Sequence, residues 1–217
     1  MKQNSLWPDV SPGPGFIECW ARTNGCAPVL GVDEVGRGCL AGPVVAAAIL
    51  LPDDFPSIGI DDSKRLSPSR RRELDKEIRL GALAIGLGLV EAAGIDETGI
   101  LPATFMAMRH AVLEALTGKP SFSGIVLVDG TQTIPGLSLR QRAWPKGDHL
   151  SLNCAAASIV AKVFRDSLME RLDEIHPQYG FADHKGYGTR VHMEAIRIHG
   201  PCPLHRMSFA PLKMRPR

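Results

Sequence analysis

The sequence predicts an α/β fold in which helices flank a mixed β-sheet. Strand patterns come first along the chain and then alternate with helical patterns, which is the order expected of such layered folds. The 217 residues are 44% hydrophobic and 22% charged, as in ordinary globular proteins. This composition excludes a disordered or fibrous chain.

Four short segments have the pattern of β-strands. Residues 28–35 are apolar and end in acidic residues, and residues 44–51 are a continuous apolar run bounded by Pro. In residues 82–90 large residues alternate with Ala and Gly, which predicts a strand whose small-residue face is closely packed by another element. Ile125–Asp129 predicts a fully buried strand that ends in a carboxylate.

Four further segments have helical patterns. Residues 69–80 follow a Ser-Pro start signal, and residues 101–116 carry apolar side chains at helical spacing before a stop at Gly118. Residues 152–172 predict a long helix whose Ala and Ser residues permit close packing. Arg190–His199 predicts a short last helix, closed by a Gly-Pro pair.

The chain divides into three expected regions. Residues 1–27 are rich in Pro, Gly and polar residues and predict an arm that lies against the body. Residues 28–172 hold the predicted strands and long helices and form the main domain. Residues 173–217 form a basic, helical C-terminal segment.

The net charge of +2 hides a gradient along the chain. Residues 184–217 contain seven Lys and Arg side chains and one Glu, which gives +6, so the remainder sums to −4. A basic end on an acidic body is expected where one part binds phosphate and another holds cations or does acid chemistry. A solvated basic tail explains the charge equally well.

The cysteine content and the hydropathy of the sequence indicate the cellular compartment of the protein. The five cysteines are an odd number and include no Cys-x-x-Cys pair, which argues against a disulfide framework or a zinc ribbon. The sequence shows no signal peptide and no stretch of the roughly 18 apolar residues that a membrane span needs. We therefore expect a soluble, cytoplasmic protein, and a monomer.

Four acidic residues are candidates for a metal site. Asp33 and Glu34 end the first predicted strand, Asp129 ends the fourth, and Asp148 lies in the loop before the long helix. Sites form at strand ends in α/β sheets, and oxygen donors without His or Cys at ligand spacing suit Mg²⁺ or Mn²⁺ rather than Zn²⁺. Each acid alone is more simply a cap or loop residue, so the prediction depends on the combination.

Two glycines follow the first pair of acids. In a flat strand Asp33 and Glu34 would point to opposite faces, so both reach one site only if the chain bends, which Gly36 and Gly38 permit. The segment also matches the G-x-G-x-x-A dinucleotide fingerprint, although a strand pattern follows it instead of a helix. We therefore expect a turn whose bare backbone hydrogen-bonds a sugar hydroxyl, with a dinucleotide oxidoreductase as the alternative class.

Further candidates lie in polar and basic segments. Ser63 and Lys64 are of the types that hold phosphates, although such residues most often form a solvated face. Tyr187 lies between glycines in the segment that begins at Lys185, which predicts an exposed ring that stacks on a sugar or base. A core tyrosine with a satisfied hydroxyl is the alternative.

Several motifs in one order resemble bacterial ribonuclease HII. They are GVDEVGRGCLAGPVV, DDSKRLS, VLVDG, KGD, AAASIVAKVFRD, PQYGFADHKGYGT and HRMSF, and they run from Pro28 to Phe209. The resemblance implies a ribonuclease H-like fold with a small helical C-terminal part. It also implies metal-dependent endonucleolytic cleavage of RNA in RNA–DNA hybrids and at single ribonucleotides embedded in duplex DNA.

The resemblance also implies roles for individual residues. Metal binding and catalysis, with Mn²⁺ or Mg²⁺ in a two-metal hydrolysis that leaves 5′-phosphate and 3′-hydroxyl ends, fall to Asp33, Glu34, Asp129 and Asp148. Asp166 is a rival for Asp148, although a structural role on the helix surface suits it better. A hybrid-binding module without catalysis is the remaining alternative class.

Substrate recognition falls to a second set of residues. The 2′-hydroxyl would be read by Gly36, Arg37 and Gly38, and Tyr187 would stack at the RNA–DNA junction. The other predicted substrate contacts are Ser63, Lys64 and Lys185. The chain departs from the family pattern at Cys39, Asn153 and Met207, and none of these departures touches a carboxylate.

Overall fold

One mixed sheet forms the centre of the protein. The computed structural model describes residues 13, 15–56, 59–60 and 66–213. Within these residues there are five strands: β1 (Val29–Val35), β2 (Val44–Leu50), β3 (Ala84–Val90), β4 (Ile125–Asp129) and β5 (Gln141–Trp144). Their order is β3-β2-β1-β4-β5, with β1–β2 and β2–β3 antiparallel and β1–β4 and β4–β5 parallel. The predicted mixed sheet is therefore confirmed.

Helices cover both faces of this sheet. The described part of the chain contains α1 (Phe16–Thr23), α2 (Pro68–Gly81), α3 (Ala92–Thr98), α4 (Ile100–Ala115), α5 (Leu152–Ile175), α6 (Phe181–His184) and α7 (Arg190–His199). The four predicted helices correspond to α2, α4, α5 and α7. The structure adds β5 and the short helices α1, α3 and α6, which the sequence patterns did not predict.

The position of strand β2 in the fold explains why its sequence is continuously apolar. Its residues Val44, Ala46 and Ala48 pack in one core with α4, whereas the alternate residues Val45 and Ala47 pack in a second core with α2 and α5. Both faces of the strand are thus buried, which removes the alternation of polar residues seen in half-exposed strands.

Glycines bring two helices unusually close to the sheet. A Cβ atom at Gly86 would overlap the carbonyl oxygen of Ala111 on α4, and one at Gly88 would overlap that of Ala107. The small-residue face predicted for β3 is therefore confirmed, with α4 as its partner. On the other side of the sheet, a Cβ atom at Gly31 of β1 would overlap the backbone at the start of α5.

The first and last helices of the described residues pack against the body. Ile17 and Ala21 of α1 are buried against Val29 and Ile125, so part of the predicted N-terminal arm is a packed helix. In the C-terminal part, residues of α6 and α7 form a cluster with Leu40, which follows β1, and with the end of α5. Among the described residues, no helix is long and apolar enough to cross a membrane.

Candidate active site

Three of the predicted acids lie where β1 and β4 end side by side. These strands are parallel neighbours, so Asp33 and Glu34 of β1 and Asp129 of β4 lie near the same edge of the sheet. Asp33 is only 8% exposed. Burial, and then the negative charges of Asp129 and Glu34, raise the pKa of Asp33 well above its usual value. The sheet thus places like charges together at one end.

Strand β1 keeps its pairing with β2 past both acids, and the glycines that permit a bend follow it. The strand continues through Val35, so Asp33 and Glu34 lie on opposite faces. Asp33 is hydrogen-bonded by the Ser158 hydroxyl of α5, which lowers its pKa against the larger effects of burial and charge. Glu34 instead lines a cleft of about 150 Å³ on the α4 side, together with Asp129. Both acids therefore lie near Asp129, one on each side of the strand end.

The fit of a divalent cation follows from this arrangement. In the part of the chain that the structure describes, no three Asp, Glu, His or Cys side chains are grouped closely enough to hold a metal ion on their own. Mg²⁺ commonly binds through one or two carboxylates and completes its shell with water and substrate phosphates. Burial and then the repulsion of its neighbours raise the pKa of Asp33, and such a cation would relieve that repulsion, so the donors present fit one.

The loop that carries Asp148 is tied to Asp129. The Gly147 N–H donates to Asp129 Oδ1 at 2.8 Å, and this turn leads directly into α5. Asp148 is buried, with His149 Nε2 at 3.9 Å from its Oδ1. Asp166, its rival, pairs on α5 with Lys162 at 2.7 Å. Asp148 is thus held near Asp129 through the adjacent Gly147, whereas Asp166 forms ion pairs with Lys162 and Arg71.

Polar residues at the start of α5 lie next to the acids and connect this helix to its neighbours, a role that sequence patterns did not assign to them. Cys154 is buried beside Asp129, and burial together with that charge raises the pKa of its thiol. Asn153, one of the departures from the family pattern, accepts the Leu51 N–H at 2.7 Å and donates to Glu18 at 2.8 Å. It thus joins α5 to the end of β2 and to α1. The Ala-rich pattern indicated close packing here but not which polar residues it would place.

The loop of residues 36–43, here called the glycine loop, joins β1 to β2. Gly36 has φ of +90° and a Cβ there would overlap the Arg165 side chain, so its glycine is required by the protein itself. Gly38 is exposed, and a Cβ there would meet nothing within 4 Å. Strand β2 follows the loop where the dinucleotide fingerprint needs a helix, which argues against the oxidoreductase alternative.

A buried arginine on α5 holds the glycine loop. Arg165 donates from Nε to the Pro43 carbonyl at 2.9 Å, from Nη2 to Ala41 at 3.1 Å, and from Nη1 to Lys185 at 2.9 Å. Its side chain is fully buried. One guanidinium thus joins the glycine loop to the segment that precedes Tyr187.

A second buried arginine holds the same loop from the C-terminal segment. Arg206 donates from Nε and Nη2 to the Gly42 carbonyl at 3.0 and 2.8 Å, and from Nη1 to Arg37 at 2.9 Å. Burial lowers its pKa to about 10, and the charge of Arg165 acts in the same direction. Both arginines bind backbone carbonyls, so they set the path of the loop whatever its side chains are.

The predicted recognition residues differ in their surroundings. Tyr187 is 42% exposed. Its pKa is raised by burial and then by the Cys39 thiol, which places this departure from the family pattern beside the tyrosine. Arg37 forms an ion pair with Glu34 at 3.3 Å. The Lys185 ammonium donates to Glu170 at 2.8 Å and to a backbone carbonyl, so its donors are engaged inside the protein.

Two of the predicted substrate contacts lie outside the described residues, and one departure from the family pattern lies in a turn held by backbone contacts. Ser63 and Lys64 lie outside the described residues. Met207, where the family pattern has a basic side chain, donates its backbone N–H to Asp96 at 2.8 Å. This contact does not depend on the side chain, so the turn tolerates the substitution.

Acids at the ends of two parallel strands, beside an open glycine backbone on a mixed five-stranded sheet, define a nuclease of the ribonuclease H class. The family model for ribonuclease HII matches residues 30–212, which is most of the chain. The chain therefore belongs to the ribonuclease HII family. It is a hydrolase, an endonuclease that acts on RNA–DNA substrates.

Relatives and solved structures agree with this assignment. The ribonuclease HII of Geotalea daltonii is 52% identical over 197 residues, covering 91% of this chain and 89% of its own. Ribonuclease HII of Archaeoglobus fulgidus, solved in a complex with PCNA, has a TM-score of 0.66 and 28% identity over 87% of this chain and 98% of its own. Ribonuclease H2 of Pyrococcus horikoshii shares the fold, with a TM-score of 0.63 and 24% identity over 85% and 95%.

Proposed function

We propose that this protein cuts the RNA strand of RNA–DNA hybrids and also cuts at single ribonucleotides embedded in duplex DNA. The observation that carries this proposal is the open backbone at Gly38, adjacent to Arg37 and to the Glu34 side of the acidic cleft. A 2′-hydroxyl is the group that distinguishes RNA from DNA at one position, and backbone groups can bond it without space for a side chain.

Catalysis would use divalent cations, Mn²⁺ or Mg²⁺, held by Asp33, Glu34, Asp129 and Asp148. When bound, such cations supply a nucleophilic water of lowered pKa and neutralise charge on the scissile phosphate, which yields 5′-phosphate and 3′-hydroxyl ends. Asp33 lies close enough to Asp129 for their charges to repel, and Asp129 shares a cleft with Glu34, which supports cation binding between these carboxylates.

The chain's own groups would fix the geometry of this reaction. The Gly147 N–H orients Asp129, and the Ser158 hydroxyl bonds Asp33. Arg37 pairs with Glu34 at the cleft, and its half-exposed guanidinium would turn toward a phosphate when the substrate binds. Arg165 and Arg206 hold the loop backbone in place for the sugar. Positioning of this kind is the principal contribution that a protein makes to phosphoryl chemistry.

The test is cleavage of a labelled DNA duplex that contains one ribonucleotide, with Mn²⁺, with Mg²⁺ and with chelator. We expect cutting at the ribonucleotide only with a divalent cation, with 5′-phosphate and 3′-hydroxyl ends. The all-DNA duplex should not be cut. Binding without cutting would instead support a hybrid-binding module, and stabilisation by a dinucleotide would support an oxidoreductase.

The protein is proposed to act as a monomer, which sedimentation of the active sample would check.

Tyr187→Ala is expected to weaken recognition without unfolding the protein. An aromatic ring stacked on a nucleotide contributes about 1–3 kcal/mol, so kcat/KM at a single ribonucleotide should fall about 5- to 150-fold. Because the ring is half exposed, the unfolding temperature should change little. The matched control is Tyr187→Phe, which keeps the ring and should retain most activity. An unchanged preference in Tyr187→Ala would remove Tyr187 from the recognition residues.

A further inference from the structure

Three histidine rings lie behind the segment that carries Tyr187. His192 of α7 and His205 are buried, and their Nε2 atoms are 3.1 Å apart. The ring of His184 stacks on that of His192, with centroids 4.3 Å apart and planes within 16°. We call these three residues the histidine cluster. None of them belongs to the acidic site, and sequence patterns did not single them out.

The hydrogen bonds of the cluster have one consistent direction. The Tyr187 carbonyl can only accept, so His192 Nδ1, at 2.9 Å, must carry a proton and donate. In a neutral ring His192 Nε2 then accepts, so His205 Nε2 must donate to it. The His205 Nδ1 atom is left as an acceptor, and the Cys202 N–H is 3.0 Å away to fill it. The chain therefore runs from Cys202 through both rings to Tyr187.

His184 holds the neighbouring peptide in the same way. Its Nε2 lies 2.8 Å from the Tyr179 carbonyl and donates to it, which leaves Nδ1 to accept the Gly186 N–H at 3.2 Å. The Gly186 carbonyl in turn accepts the Leu40 N–H at 2.8 Å. The stacked rings thus hold the backbone on both sides of the Gly186–Tyr187 peptide, and that backbone is bonded directly to the glycine loop.

The surroundings keep the two buried rings neutral. Burial lowers the pKa of His192 to about 4, and any charge on His184 or His205 acts in the same direction. Burial also lowers the pKa of His205, which faces the edge of the Tyr179 ring at 4.9 Å between centroids. A proton added to His192 would put two donors face to face at Nε2, and one added to His205 would place an N–H at Nδ1 against the Cys202 N–H, so the chain as drawn needs both rings uncharged.

We propose that His192 and His205 are positioning residues for Tyr187: their one-directional hydrogen-bond chain fixes the Tyr187 carbonyl relative to the glycine loop and so determines where the ring meets the nucleic acid. The inference rests on the proposed function, because it assumes that Tyr187 recognises the ribonucleotide junction. It adds a specificity role for residues that touch neither substrate nor metal.

The first test measures the ratio of kcat/KM for a single embedded ribonucleotide to that for a continuous RNA–DNA hybrid. His192→Phe keeps an aromatic ring but loses both nitrogens, and we expect the ratio to fall about tenfold, as for the loss of one buried hydrogen bond. His192→Asn places an amide donor near the Nδ1 position and should retain most of the ratio. His110→Asn, on the exposed side of α4, is the control and should leave it unchanged.

A double variant separates positioning from a merely structural role. If His192 acts through Tyr187, His192→Phe should have no further effect on the ratio once Tyr187 is Ala. An equal tenfold loss in both backgrounds would overturn the proposal. So would a His192→Phe protein that retains the wild-type ratio.

The second test does not need activity and remains valid if His192→Phe fails to fold. Long-range ¹H–¹⁵N spectra of the wild-type protein should show His192 protonated at Nδ1 and His205 at Nε2. The opposite tautomer at either ring would overturn the proposal. Failure of the wild-type protein to cut any ribonucleotide-containing duplex would instead defeat the proposed function, and the spectra would still report on the chain.

Discussion

Asp33→Asn is expected to reduce cleavage by about a thousandfold or more while the protein remains folded. Asp33 is buried next to the charges of Asp129 and Glu34, and the Asn amide cannot supply the negative charge that a cation requires there. Asp129→Asn should have a similar effect. Binding of the duplex should persist or tighten in both variants, because each removes one charge that repels phosphate. Single-turnover cleavage and duplex binding measure the two effects.

The same variant should change stability in a direction that depends on the metal. Without divalent cations Asp33→Asn should raise the unfolding temperature at neutral pH, because it removes a buried charge that its neighbours disfavour. With Mn²⁺ the wild-type protein should gain stability by binding and the variant should gain less. Asp166→Asn is the control, since Asp166 pairs with Lys162 on α5, and it should keep nearly full activity. Full activity in Asp33→Asn would contradict the site assignment.

Arg165→Met is expected to destabilise the protein by about 3 kcal/mol or more. The fully buried guanidinium donates to the carbonyls of Pro43, Ala41 and Lys185, and an apolar side chain would leave these acceptors without their donor. Arg165→Lys should recover little, because an ammonium cannot reproduce the planar fork that reaches three carbonyls. Urea unfolding of the variants gives the difference in free energy.

The matched control lies on the same helix. Arg171 is exposed on α5, so Arg171→Met should change the free energy of unfolding by no more than about 0.5 kcal/mol. Equal losses at the two positions would mean that the contacts of Arg165 contribute little. If Arg165→Met remains folded, its cleavage of a single ribonucleotide should suffer more than its binding to duplex DNA, because the glycine loop loses its support.

Patterns that depend on local periodicity were predictable from the sequence. The apolar runs of β1, β2 and β4 and the small-residue face of β3 reflect burial on defined faces, which leaves a mark in the order of residues. Strand β5 has no such mark, because its four residues lie at the sheet edge and all are only partly buried. Its place depends on pairing with β4, which is a long-range contact.

Charge was a poorer guide than periodicity. Of the cations that make residues 184–217 basic, Arg206 is fully buried on backbone carbonyls, Lys185 is bound by Glu170, and Arg197 pairs with Glu194 at 2.7 Å. A sequence cannot distinguish such side chains from those that face phosphate, because it records the type of each residue and not its surroundings. The position of the acids was easier to predict, since carboxylates that end two buried strands form an unusual combination.

The contacts of helix α1 limit where the chain could be shortened. Glu18 accepts hydrogen bonds from the Ser151 hydroxyl at 2.5 Å and from the backbone and side chain of Asn153 at 3.2 and 2.8 Å. Ser151 caps α5, the helix that also carries Ser158 and Arg165. A truncation at the predicted boundary after residue 27 would remove Glu18 and leave these donors unmatched. We therefore expect a truncation that removes α1 to destabilise the protein, because this part of the predicted arm holds the start of α5 in place.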